Sequence, residues 1–186
     1  MGCLSLATWA VGAALAAAPA EPVPLATQAS LLLKVLAADR NLGARERTGL
    51  VIGIVYQRSS PASRDVAERF AAEVERASAN DGALRARPGL IDVSAPGALA
   101  EGVAALDPGA LYVAPLAGFD VGRIVTLSRS LKIRTATGVP AFVEDGLAVG
   151  FESGRGAPRI LINREASRAE GADFGSKLLK LARPVP

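Results

Sequence analysis

The sequence predicts an α/β domain: a mixed, mostly parallel sheet of about six strands flanked by helices, with a C-terminal antiparallel hairpin and a closing helix. Three observations lead to it. Runs such as "LVIGIVY" and "ALYVAPL" are strand-length and continuously apolar, as strands covered on both faces are. Between such runs stand segments whose apolar residues recur at helical spacing, and this alternation builds parallel sheets through right-handed crossovers. The alternation breaks after Pro140, where two strands are joined only by the four residues "GRGA", a connection suited to an antiparallel hairpin.

The elements follow in order. Behind the proline-rich joint "EPVP", Thr27 can cap a helix that places Leu32, Leu33 and Leu36 on one face. "NLGARERTG" ends it, and Leu50–Tyr56 is the first buried strand. Ser60 and Pro61 open a second helix, in which Val66, Phe70 and Val74 face inward and which Asn80-Asp81-Gly82 stops. "LIDVS" (Leu90–Ser94) reads as a strand, "GALAEGVAAL" as a helix, "ALYVAPL" as a buried strand. "FDVGRIVTLSRSL" is helical with Ile124, Val125 and Leu127 facing in, and "KIRTATG" is a short strand. "LAVGFES" and "PRILIN" form the hairpin. Asn163 caps a two-part helix running to Ala182, which Pro184 and Pro186 keep from continuing.

Composition narrows the function. A chain of 186 residues with 50 % hydrophobic and 21 % charged residues is one globular domain with a real core, and 4 % aromatics leaves that core to Val, Leu, Ile and Ala. Net charge is +3 with both signs dispersed, so no basic stripe marks a nucleic-acid partner. Residues 1–20 carry no charge, and their apolar run from Leu4 to Ala17 ends at Ala18-Pro19-Ala20, a small-x-small cleavage signature. The expected organisation is a leader over 1–20 and a single exported, periplasmic domain over 21–186. Cleavage and retention as an anchor both remain open, since no Lys or Arg precedes the run.

Cleavage would remove Cys3, and the chain has no His. Those absences leave no Ser-His-Asp or Cys-His pair, no thiolate nucleophile and no N/S metal site. The expectation is a non-enzyme without cofactor or metal. Among the remaining motifs, Ser59 and Ser60 stand between a buried strand and a helix, where backbone N–H groups and the positive helix end can hold an anion. The same Ser-Pro step is also simply a good helix start. "GADFGSK" and "GFESGRGAP" lack the spacing and context of phosphate or dinucleotide loops and read as turns. Glu144, Asp145 and Glu152 read as solvated loop carboxylates. In "SKLLKLARP", Leu178, Leu179 and Ala182 share a face opposite Lys177, Lys180 and Arg183, as in a helix docked on the sheet.

The tail "LAVGFESGRGAPRILINREASRAEGADFGSKLLKLARPV" resembles the C-terminal signature of the YfiR/HmsC-like periplasmic proteins. There a Gly-rich "GGMI-F" strand, a turn, an "RFEIN" strand, a short helix and an "SSKLLKLA" helix follow in that order. The matching residues are Asp145-Gly146-Leu147 through Phe151, Arg159 to Asn163, and Ser176 to Ala182. The family's aromatic "KFVEWP"-like segment stands here as "LLKVLAADRNL", and its cysteines are absent. The resemblance implies a compact α/β periplasmic domain that binds an inner-membrane diguanylate cyclase and holds it inactive, so that cyclic-di-GMP signalling and biofilm formation respond to its release. On that reading the contact surface is the hairpin and its approach: Phe142, Val149, Phe151, Arg159 and Ile162. Phe142, placed in a loop, is expected to be dispensable for stability, while Val149, Phe151 and Ile162 are equally readable as core. A homodimer and a small-molecule effector stay open. The rival reading is a periplasmic small-molecule binding module resembling half of an ABC-transporter substrate-binding protein, motivated by "IGIVYQRSSPASR".

Overall fold

The computed structural model describes residues 22–43, 49–81, 84–154 and 156–186. The leader with Cys3, residues 44–48, Gly82 and Arg155 lie outside the described residues. The chain runs α1 (Leu25–Ala37), β1 (Leu50–Tyr56), α2 (Pro61–Asp81), β2 (Ala86–Asp92), α3 (Ala98–Leu106), β3 (Ala110–Val113) and α4 (Gly122–Leu131). It continues through β4 (Arg134–Thr137), α5 (Pro140–Glu144), β5 (Val149–Ser153), β6 (Pro158–Asn163), α6 (Arg164–Ala169), α7 (Ser176–Leu181) and β7 (Arg183–Val185). The strands form one sheet in the order β2-β1-β3-β4-β5-β6-β7, parallel throughout except for the β5–β6 hairpin. The mixed, mostly parallel architecture is as the sequence predicts.

Side-chain alternation along β1 explains the two layers around it. Leu50, Ile52, Ile54 and Tyr56 enter a core shared with Leu32 and Leu36 of α1 and Phe70 and Val74 of α2. Val55 points the other way, into a core with Leu99 and Val103 of α3 and Ile124 of α4. A third, small cluster of Val143, Leu161 and Val185 lies under α5. Among the described residues, no helix is long and apolar enough to cross a membrane.

Three local readings need correction. First, the last prolines do more than stop a helix, because Arg183–Val185 pairs with β6 as a seventh strand. Pro184 is compatible with this because an edge strand leaves backbone donors unpaired in any case. Second, β2 starts at Ala86 and ends at Asp92, earlier than "LIDVS" suggested. Pro88 and Gly89 disguise it, and both are tolerable on the opposite sheet edge. That edge is partly closed by α2, whose Ser78 Oγ accepts the Ala86 N–H at 2.9 Å. Third, α1 begins at Leu25 behind Pro24, without a side-chain cap, so Thr27 is an interior residue. The two other caps hold: Ser60 Oγ accepts Ser63 N–H at 3.4 Å, and Asn163 Oδ1 accepts Ala166 N–H at 2.9 Å.

The ends of the chain are joined by a buried ion pair. Asp39, fully buried just after α1, accepts from Arg134 Nε at 2.9 Å. Its other oxygen accepts the backbone N–H of Asn41 at 2.9 Å and of Asp173 at 2.8 Å. Arg134 in turn donates to Asn41 O at 3.0 Å and Lys132 O at 3.3 Å. The segment after α1, the start of β4 and the turn before α7 therefore share one polar junction. Truncating one partner would strand the other charge, which costs about 3–5 kcal/mol. Asp39→Ala is expected to lose stability of that order in chemical denaturation, and a loss below about 1 kcal/mol would show the junction to be dispensable.

Candidate functional site

From β1 the chain crosses through α2 to β2 on one side, then returns through α3 to β3 on the other. The connections leaving β1 and β3 thus diverge over opposite faces and open a crevice at the carboxyl ends of those strands. In open α/β sheets this is where ligands bind. By chain connectivity, residues 57–63 after β1 and 114–119 after β3 flank this strand-order reversal.

Side chains fix both loops. Gln57, the first residue after β1, accepts the Ala117 N–H with Oε1 at 2.7 Å and donates Nε2 to Ala117 O at 3.1 Å. One amide thereby pins the β3 loop to the β1 loop. The Gln57 N–H is itself held by Ser63 Oγ at 3.0 Å. Arg58 is held from the β2 side, with its N–H on Asp92 Oδ1 at 3.0 Å and its Nε on Asp92 Oδ2 at 2.9 Å. Burial opposes ionisation of Asp92, but hydrogen bonds from Ser94 and Arg58 outweigh it and hold the carboxyl down to about 2. Hydrogen bonding to Asp92, with the nearby Tyr56 and Asp92 charges, raises the exposed Arg58 guanidinium above its ordinary value.

Within this frame the α2 N-terminus has donors to spare. Ser63 N–H goes to Ser60 Oγ and Ser60 N–H to Gln57 O. Among the described residues, Ser59 N–H and Ala62 N–H have no such partner. They lie at the positive end of a 21-residue helix beside an exposed guanidinium, an arrangement suited to a carboxylate or other anion. Ser59 is exposed and Ser60 half-buried, so the structure brings these two sequence candidates together at the crevice.

A buried polar pair links β3 to α1. Tyr112 of β3 donates to Gln28 Oε1 at 2.7 Å, and Gln28 donates to Val23 O at 2.7 Å. Phe70 stacks on the Tyr112 ring with centroids 3.5 Å apart. Burial pushes the Tyr112 hydroxyl above its ordinary value, offset in part by the Gly138 N–H. A side chain at Gly138 would place its Cβ 2.5 Å from Gln28 Oε1 and so would displace the Gln28–Tyr112 pair. This buried pair ties α1 to β3.

The partner-binding candidates are not assembled into a surface. Val149, Phe151 and Ile162 are each 1–2 % exposed and belong to the core beneath α1 and α2. Arg159 is exposed on the other face of the sheet, directly opposite Glu152, which pairs with Arg183 at 2.9 Å. Phe142 sits in α5, not in a loop, and is half-buried against the core shared with α3 and α4. Its expected dispensability is therefore corrected. Glu144 and Asp145 end the same short helix, exposed as the sequence suggests.

Two further observations bound the choice of site. A cavity of about 590 Å³ opens at the opposite, amino-terminal end of the sheet, lined by Val51, Arg87, Val103, Leu106, Asp107 and Lys132. Several of its groups are engaged, with Gly109 N–H on Val51 O, Asp107 N–H on Val103 O and Lys132 Nζ on Ala169 O, while Arg87 is exposed at its rim. Among the described residues, no group of three or more His, Cys, Asp or Glu side chains could hold a metal ion.

The sequence singled out Ser59 and Ser60 but missed Gln57, Asp92 and Ala117. The position of Gln57 directly behind a doubly buried strand was a usable signal, since strand carboxyl ends gather ligand contacts. Asp92 and Ala117 were legible only once the strand order was known.

No family model matches the chain, and no curated protein matches it in sequence. Solved structures match its fold. An ABC domain from Streptococcus pneumonia in complex with L-Trp is 17 % identical with a TM-score of 0.63, over 85 % of this chain and 62 % of that one. A conserved domain protein from Vibrio cholerae is 10 % identical with a TM-score of 0.59, over 88 % of this chain and 60 % of that one. The ligand-free, open form of a substrate-binding protein with adhesive properties from Clostridium difficile is 16 % identical with a TM-score of 0.53, over 86 % and 59 %. The likeness is one of fold. This chain spans about three fifths of the length of each neighbour.

Two substitutions check this geometry. Gln57→Ala removes both contacts to Ala117 and is expected to cost about 1–2 kcal/mol and to speed exchange of the Ala117 amide, whereas unchanged exchange would deny the pinning. Phe142→Ala removes a half-buried ring and is expected to lower stability by about 1–2 kcal/mol in denaturant titration, and no loss would restore the loop-surface reading.

Proposed function

We propose that this chain is a small-molecule binding module that takes a carboxylate-bearing ligand, of the amino-acid class, at the carboxyl ends of β1 and β3. The observation that carries the reading is the pair of unpartnered N–H donors of Ser59 and Ala62 at the start of α2, beside Arg58 and at the strand-order reversal. Two fold neighbours support it, one a complex with L-Trp and one a substrate-binding protein. Export to the periplasm is part of the same proposal and rests on residues 1–20.

Recognition follows from charge and donor geometry. The ligand carboxylate would receive the two backbone N–H groups and the Ser59 hydroxyl, with Arg58 completing the charge balance. Asp92 stays ionised at neutral pH and orients Arg58, so it acts through Arg58 and not on the ligand. Arg58 and Ser59 are exposed, and binding of this kind buries most of a small ligand. Affinity would gain from a second surface closing over it.

The regulator of a membrane diguanylate cyclase, implied by the C-terminal resemblance, rests on those residues alone. The two readings are compatible if ligand binding gates a contact. Thermal denaturation across a panel of amino acids tests the proposal. At about 100 times its Kd the correct ligand adds about 2.7 kcal/mol, a rise in Tm on the order of 5–10 °C. Arg58→Ala and Ser59→Pro are expected to abolish the rise without changing the Tm of the free protein appreciably. A panel of carboxylates, amino acids and phosphates that leaves Tm unmoved would contradict the proposal.

A further inference from the structure

The positive surplus of this chain gathers at its C-terminal end. Residues 158–186 hold six Lys or Arg against three Asp or Glu, a surplus of three that equals the net charge of the whole chain. The remainder is therefore balanced. Of those three acids, Glu170 is fully buried and Asp173 is paired with Arg40 at 3.4 Å. Among the bases, Arg183 is paired with Glu152. Arg164 and Arg168 of α6 and Lys177 and Lys180 of α7 are exposed and, among the described residues, make no ion pair.

Helix geometry brings these cations together. Arg164 and Arg168 stand one turn apart on the same side of α6. With Ser167, Phe174 and Leu179 they line a cavity of about 70 Å³ between α6 and α7. Pockets for whole organic ligands begin at about 300 Å³, so this one suits a single anionic group. Asp173 lines it too, but its charge is answered by Arg40. Two planar guanidinium groups at one small cavity match the oxygens of a phosphate, which such groups bind in a fork. On α7, Leu178, Leu179 and Ala182 pack against the core. At about 100° per residue, the arc leading from Leu179 round the outside of the helix carries Lys180, Lys177 and Leu181 in turn. Leu181 is 75 % exposed, more than Leu90 or Leu131, and so adds an apolar contact in water beside the two lysines.

We propose that α6 and α7 form a docking surface for an anionic phospholipid bilayer, with Arg164 and Arg168 on a headgroup phosphate, Lys177 and Lys180 over the surrounding negative charge, and Leu181 in the apolar boundary beneath. Cations beside an exposed leucine are what a lipid–water interface satisfies at once, since it offers negative headgroups with an apolar layer directly behind them. A free phosphate would answer the guanidinium groups and leave Leu181 in water. One apolar side chain with four charges gives reversible attachment, not insertion. The surface is separate from the proposed ligand site. Strand β6 runs antiparallel to β5, so it ends, and α6 begins, at the amino-terminal edge of the parallel strands, away from Ser59 and Ala62.

Cosedimentation of the full chain with vesicles tests this, comparing equal parts phosphatidylglycerol and phosphatidylcholine with phosphatidylcholine alone. Binding is expected to be at least about tenfold tighter on the anionic vesicles and to weaken at least about tenfold as salt rises from about 0.05 to about 0.5 M. The double variants Arg164→Gln/Arg168→Gln and Lys177→Gln/Lys180→Gln are each expected to weaken it on the order of 20-fold. Leu181→Ser should weaken it several-fold, and none of the three should shift Tm appreciably, because all five side chains are exposed. Equal binding to both kinds of vesicle, as the apolar residues 1–20 alone would give, overturns the proposal, and so does wild-type binding by the double variants. Binding of glycerol phosphate or of an acidic polypeptide without binding of vesicles also overturns it, in favour of a free phosphate or a protein partner. Should a variant fold poorly, amide exchange of the wild type on anionic vesicles decides. Protection gathered at residues 164–182 sustains the docking surface, and its absence there overturns it.

Discussion

The structure depends on β1 being satisfied on every side. Both of its faces are buried in separate cores, and both of its edges carry parallel ladders, to β2 over seven residue pairs and to β3 over four. A strand so placed must be apolar without interruption, which is why "LVIGIVY" reads as it does. The same placement forces the chain to leave β1 and β3 over opposite faces. The crevice between them follows from strand order alone, and the residues after β1 are delivered to it whatever their chemistry. What this sequence adds is Gln57 to tie the loops, Asp92 to hold Arg58, and a helix start whose donors exceed its acceptors.

Much of the fold was legible because its signals are local. The apolar run of β1, the Ser-Pro start of α2, the Asn163 cap and the hairpin around "GRGA" each rest on residues adjacent in the chain. The failures have a common physical origin. Pro88, Gly89 and Pro184 argue against strands only where backbone donors must be paired, and all three stand on sheet edges, which sequence order does not reveal. Phe142 reads as loop in the sequence because the five residues Pro140–Glu144 are too few for a periodic pattern. The candidate site was legible in half: Ser59 and Ser60 follow from strand-to-helix context. Asp92 and Ala117 become partners of the β1 loop only through long-range strand pairing. The hairpin candidates Val149, Phe151 and Ile162 turned out to be core, as their alternation also allowed.

The buried polar groups divide by their partners. Asp39 pairs with Arg134, and Tyr112 donates to Gln28. Both serve to fix the junction of the N-terminal helix with β3 and β4. Glu170 differs in having no ion pair within 4.0 Å among the described residues and is held instead by Thr135 and Ser128. The crevice and this junction lie at opposite ends of the parallel strands.

The central claim is that the carboxyl ends of β1 and β3 form the ligand site. Amide chemical-shift mapping during titration with a carboxylate-bearing ligand tests it most directly. Perturbations are expected to concentrate at Arg58–Ser63 and Ala114–Phe119, led by Ser59 and Ala62. Perturbations gathered instead at the amino-terminal cavity around Arg87 and Lys132, or along the β5–β6 hairpin, would contradict it.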